Sequence, residues 1–158
     1  MRDMEQADPQ LAPADLKAAF AETLVKTARK LRTRFNARVV ARGLTYPRAR
    51  ALAALSRQPM TQRELAEDLE LEGPTVVRLL DGMEQQGLVR RTPVPGDRRL
   101  KRIELTAHGA ETAAVVSGIS HELRDLILRH VPEADMQTAL KVLHLVSDAI
   151  ERDRTHGG

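Results

Sequence analysis

Cysteine is absent from all 158 residues. Disulfides, thiolate zinc sites and sensing by thiol oxidation are thereby excluded. Tryptophan is missing too, and the aromatic set is Tyr46, Phe20 and Phe35, 2% of the chain. So few rings cannot furnish the stacking platform on which single-stranded nucleic acid is held. No apolar run reaches the roughly 20 residues of a membrane span. The opening MRDMEQADPQ lacks the apolar centre of a signal peptide. The expectation is a cytoplasmic protein with no membrane partner. Glycine-rich phosphate loops, HExxH, GxSxG and a Ser/His/Asp set in recognisable context are also wanting. No enzyme, no catalytic residue and no cofactor are expected. His108, His121, His130, His144 and His156 fall at no close ligand spacing, so no metal is expected; only His130 and His144 form a pair to inspect.

Charge is present, and it is uneven. The formal net charge is +3 over the whole chain. Between Gly73 and Arg102 stand seven cations, Arg78, Arg90, Arg91, Arg98, Arg99, Lys101 and Arg102, against Asp81, Glu84 and Asp97. That excess of four exceeds the total, and basic charge gathered on one element points to an anionic partner. The paired acids Glu67-Asp68 and Glu70/Glu72 read as solvated faces.

Length implies one domain of residues 13–158 behind a flexible tail of 1–12. Leu16, Phe20, Leu24 and Leu31 recur at helical spacing over a helix from Ala14 to about Arg42, stopped at Gly43. A second helix spans Thr45 to about Arg57, with Leu52 and Leu55 inward. Thr61-Gln-Arg-Glu64 is a capping box that opens a third helix with Leu65, Ala66 and Leu69 on its apolar side. After a tight connection, Glu70 to Gly73, Pro74 starts a fourth helix. Its stripe of Val76, Leu79, Leu80 and Met83 faces inward, while Thr75, Arg78 and Gly82 face outward; Gly87 ends it. Val89–Thr92 and Lys101–Leu105 read as paired strands, with Pro93, Pro95 and Gly96 shaping the loop. Thr106 caps a helix to about His130. Pro132 restarts a last one carrying Met136, Leu140, Leu143 and Ile150.

Two short packed helices running into an Arg-rich hairpin, TQRELAEDLELEGPTVVRLLDGMEQQGLV then VRRTPVPGDRRLKRIELT, make a winged helix-turn-helix. The fold class is mainly α with a small β-hairpin, its winged lobe over 45–106. The helices of 14–42 and 107–153 carry more apolar stripe than a small domain covers. They pack on each other, or they interleave with a second copy as dimerisation helices.

The segments LTYPRARALAAL, QRELAEDLELEGPTVVRLLDGMEQQGLVRR and GDRRLKRIELTAHG resemble the MarR family of transcriptional regulators, its SlyA-type members above all. The resemblance implies a homodimer with a helix of each copy in the major groove of a pseudo-palindromic duplex operator. Pro74, Thr75 and Arg78 match DNA-touching positions. Asp97, Arg98 and Arg99 match the wing motif, in which the aspartate orients one arginine into the minor groove; the sequence does not choose between Arg98 and Arg99.

The residues themselves allow Arg78 to read guanine or clamp phosphate, and Thr75 to meet phosphate or a thymine methyl. Thr61 and Gln62 reach phosphate or merely cap their helix. Lys101 and Arg102 supply unspecific phosphate attraction. Relatives carry a bulky aromatic where Ala49 stands, so the resemblance implies an open space there for a small anionic or aromatic effector. Arg38, Arg42, Tyr46 and Ala49 are the candidate ligand residues, and Arg48 and Arg50 are further cations near that junction. The expected function is a dimeric, sequence-specific repressor released by that effector. The rival is a winged-helix protein-interaction module without specific DNA binding.

Overall fold

A computed structural model of the chain describes residues 12–94 and 96–156, with the side chains of 97–99 and 154–156 outside the description. The expected tail therefore falls almost wholly outside it, as does Pro95. Among the described residues the elements are α1 (Pro13–Val40), α2 (Tyr46–Arg57), β1 (Met60–Thr61), α3 (Gln62–Leu69), α4 (Gly73–Gln85), β2 (Val89–Val94), β3 (Asp97–Leu105), α5 (Ala107–Leu128) and α6 (Glu133–His156). The protein is mainly helical, with a small antiparallel sheet. None of these helices is long and apolar enough to cross a membrane. Length implied one domain; the chain divides into two compact units between Ser120 and His121, inside α5.

The first unit has a continuous core. Leu52 and Leu55 of α2, Leu65 and Leu69 of α3, and Val76, Leu80 and Met83 of α4 are buried together. Val89 and Ile103 close the core from the sheet, and Ala113, Val116 and Ile119 close it from α5. These are the i, i+3, i+4 positions that the helical period places on one side. Fully burying each Leu, Ile or Val contributes about 1.5–3 kcal/mol.

The sheet is ordered β1-β3-β2. Two of its features differ from the sequence reading. Met60 and Thr61 add a short strand that pairs with Ile103 and Arg102. Two residues are too few to show a period, so nothing local announced it. Both hairpin strands are also longer than expected: Pro93 and Val94 belong to β2, with an irregular register between them as Val94 meets Asp97. A proline is tolerated there because β2 is an edge strand, whose outer N–H groups have no ladder partner to lose.

Close contact fixes the sheet to α5. The Thr106 hydroxyl accepts from the Gly109 amide at 3.0 Å and donates to the Gly87 carbonyl at 2.5 Å. A side chain on Gly109 would place its Cβ 1.9 Å from the Leu88 carbonyl oxygen. Only glycine lets the first turn of α5 come this near the start of β2.

Along α1, the apolar face is buried at the C-terminal end and largely exposed toward the N-terminus. Val39 is fully buried and Phe35 half-buried, but Leu31 is 44%, Phe20 40% and Leu16 58% exposed. All five lie on one face of the helix. The second unit comprises the end of α5 and α6. Leu140 and Leu143 of α6 are exposed, as is Ile150 at 59%, along a second apolar stripe.

Candidate nucleic-acid interface

The helix-turn-helix is set by α3, a three-residue turn and α4. Thr61 and Glu64 form the expected capping box: the Glu64 amide donates to Thr61 Oγ1 at 3.3 Å, and the Thr61 amide donates to Glu64 Oε2 at 2.7 Å. Thr61 Oγ1 also donates to the same carboxylate at 2.9 Å, so this hydroxyl is committed to the cap. The donated backbone bond from Thr61, then its hydroxyl, holds the Glu64 carboxyl below its ordinary range; Arg102 adds a smaller attraction.

At the other end of α3, Glu70 takes the left-handed conformation with φ 55° and the Leu71 amide returns to the Ala66 carbonyl at 3.0 Å. That is a Schellman-type stop with glutamate where glycine is usual. Arg50 of α2 secures it. Its Nη1 donates to the Leu69 carbonyl at 3.1 Å and its Nη2 to the Asp68 carbonyl at 2.8 Å. A cation on the last carbonyls of a helix satisfies orphan acceptors and complements the helix dipole. Arg57 pairs with the Asp68 carboxylate at 2.9 Å, and Arg63 pairs with Glu67 at 3.0 Å. Asp68 and Glu67, expected as merely solvated, are therefore partners, and Arg50 is a strut rather than an available cation.

From this base α4 projects. Pro74, Thr75 and Arg78 are exposed on it, and Val76, Leu80 and Met83 are buried as expected. Gly82 differs from the sequence reading. It shares the outward face with Thr75 and Arg78, but the Arg48 guanidinium of α2 lies across it.

The sheet sorts its cations into two kinds. Arg90 pairs across strands with Glu104 at 3.0 Å. Arg91, 22% exposed, donates to Asp81 at 2.6 Å and also to Glu84, both on α4. The bond it donates to Asp81 raises the Arg91 pKa, against a smaller opposing effect of burial. Arg90 and Arg91 are thus neutralised internally. Lys101 and Arg102 are exposed and form no ion pair among the described residues. Arg78 is likewise unpaired. Asp97, Arg98 and Arg99 begin β3, but their side chains lie outside the described residues.

A groove of about 600 Å³ lies between the start of α3 and β3, lined by Thr61, Gln62, Arg63, Arg91, Leu100, Lys101 and Ile103. Gln62 also lines a second groove of about 470 Å³ toward Gly73. Gln62, Lys101 and the start of α4 are therefore brought to one side of the unit.

The four candidate ligand residues lie at or just after the end of α1 and in α2. Ala49 is fully buried in the core, so its small side chain is closed over rather than facing open space. Tyr46 stacks edge-on against Phe35, ring centroids 6.0 Å apart. With Pro47, Arg50, Leu69 and Leu71 it lines a cavity of about 40 Å³, room for a water or so and not for an organic acid. Arg38 is half-buried in the last turn of α1 and Arg42 is exposed just after it. Among the described residues, no group of three or more His, Asp or Glu is placed to hold a metal.

A sequence profile of the MarR family matches residues 42–100, the span from the end of α1 into the wing. The solved transcriptional regulator PA3341 is 37% identical and superposes with a TM-score of 0.78, covering 84% of this chain and 98% of that one. The chain belongs to the MarR family of transcriptional regulators. That is a family of regulators and not of enzymes. Its fold is the MarR winged helix-turn-helix with terminal helices. MepR of S. aureus, solved in complex with DNA, shares that fold at 20% identity and a TM-score of 0.73, over 83% of this chain and 97% of MepR. The regulator SlyA does so at 19% identity and 0.74, over 85% of this chain and 95% of SlyA.

Proposed function

We propose that two copies of this MarR-family chain jointly bind duplex DNA at a pseudo-palindromic site and repress transcription by occupying it. One observation carries the reading. While Arg50, Arg57, Arg63, Arg90 and Arg91 are all taken up by carboxylates or carbonyls, Arg78 on α4 and Lys101 and Arg102 on β3 stay exposed and unpaired among the described residues. Cations left without internal partners on a projecting helix and its wing suit a polyanion. MepR, a protein of the same fold, has been solved in complex with DNA, which supports the duplex-binding reading.

In this reading the first two turns of α4, with Pro74, Thr75 and Arg78, enter the major groove. Gln62, Lys101 and Arg102 hold phosphates, and Arg98 or Arg99, oriented by Asp97, reaches the minor groove. The exposed stripes of α1 and α6 support the pairing of two chains, because half-sites lie about 34–36 Å apart and two reading heads must be held at that spacing.

The reading is tested by measuring duplex affinity against salt. A steep linear loss with log salt concentration is expected, together with a loss of about 1–3 kcal/mol and relaxed preference at one half-site position in Arg78→Ala. Salt-insensitive behaviour would instead identify a protein-interaction module.

The reading extends to release by a small anionic or aromatic effector. Its support is the cationic pair Arg38 and Arg42 at the end of α1 and the ring of Tyr46, on elements that adjoin the reading head. The effector must favour one conformation over another to act. Operator affinity across a panel of aromatic carboxylates and acyl thioesters tests this, and a flat response would reject release while leaving DNA binding in place.

A further inference from the structure

We propose that Arg48 of α2 is a further DNA-contacting residue, its guanidinium seated over Gly82 to clamp a backbone phosphate beside α4. The inference rests on the duplex-binding reading above and adds to it a residue from outside the helix-turn-helix.

Gly82 lies on the α4 face that carries Thr75 and Arg78. A Cβ built on it would stand 3.4 Å from Arg48 Nη2. Residues four apart on a helix are neighbours, about 5–6 Å between Cβ atoms. The charged end of Arg48 therefore reaches the α4 surface one turn along from the point where Arg78 is attached. The φ of Gly82 is not in the left-handed region, so the backbone does not demand glycine here. What the missing side chain supplies is room. A residue longer than alanine would push the guanidinium away.

The surroundings sharpen the point. Arg48 is half-buried, yet it makes no hydrogen bond and no ion pair among the described residues. Asp81, the acid next to Gly82, is already engaged by Arg91. An unneutralised guanidinium at this place, one helical turn from where Arg78 is attached, calls for an anion as its partner. A phosphate meets that need, and the planar fork of arginine fits it with two parallel bonds. Base reading is the less suitable role. Gly82 lies seven residues beyond Thr75, about 10 Å along the helix axis, toward the far end from the turn that meets base edges.

The test is the salt dependence of duplex affinity for the wild type, Arg48→Gln and Arg48→Lys, on an operator and on random duplex alike. Arg48→Gln is expected to bind about 3–10-fold more weakly on both duplexes and to lower the salt slope by about one. Arg48→Lys is expected to keep the slope while recovering part of the affinity. Melting temperatures of both variants should match the wild type, which a merely structural role would not give. A wild-type slope retained in Arg48→Gln overturns this inference alone. A wild type without salt-dependent binding overturns the functional reading and this inference together.

Discussion

Arg91 reaches back from β2 and donates to Asp81 on α4 at 2.6 Å, with Glu84 on its other amino group. The wing is thereby tied to the helix it flanks by a fork with two carboxylates in its grip. Arg91→Met should lower operator affinity without changing the salt slope, since both amino groups of this cation are already taken by carboxylates. Stability should fall by about 1–2 kcal/mol, the cost of leaving two partly exposed acids unpaired. Salt-dependent binding and urea unfolding, measured side by side, check both parts.

Arg50 bonds the two last carbonyls of α3 at a turn where Glu70 is left-handed. Arg50→Ala should cost about 2 kcal/mol. Arg50→Lys should recover part of that, because one ammonium bridges two carbonyls less well than a planar fork. Chemical denaturation of the three proteins is the measurement.

Gly109→Ala should be among the most damaging small changes available. The new methyl group would meet the Leu88 carbonyl oxygen at 1.9 Å, and backbone on both sides has little freedom to yield. A loss of about 3 kcal/mol is expected, seen as a melting point lower by roughly 6–12 °C.

Acid should weaken the protein through Glu64. Its folded pKa lies below the usual 4.5. The stabilisation is therefore whole above the unfolded value and is lost as pH falls through the folded one. The gap in urea midpoint between wild type and Glu64→Gln should be constant near neutrality and shrink below about pH 4.5. A gap that is unchanged down to pH 3 would remove the capping carboxylate from the account.

The wild type is expected to sediment as pairs at micromolar concentration, and Leu143→Glu, placing charge on the exposed stripe of α6, should yield single chains. Operator affinity should fall with it, since one reading head alone gives up half of the contacts.

The helices were legible because their signals are local: a period of 3.6, a capping box, a proline at the start of α4, a glycine after its end. Arg91 was legible in part. It stands two residues beyond Val89, and the period of a strand puts both on the inner side, which separates it from the outward Arg90. Counting charge without that alternation did not show which cations the hairpin leaves for a partner. Arg50 and Gly109 carry no such mark. One acts on carbonyls 18 and 19 residues away, and the other yields to a carbonyl 21 positions earlier in the chain. Both depend on distant backbone coming near, which no window of sequence displays. The space expected at Ala49 failed for a related reason: a small side chain predicts a void only where its neighbours do not close in.

Pro93, together with the irregular register that follows it, has a consequence for how the finger behaves before it meets any partner. The outer border of β2 offers a broken row of donors, and the opposite border is a strand of only two residues. Irregular and very short edges of this kind are poor templates for another chain. A projecting ribbon of this sort remains a solitary digit in a crowded cell instead of seeding stacked aggregates.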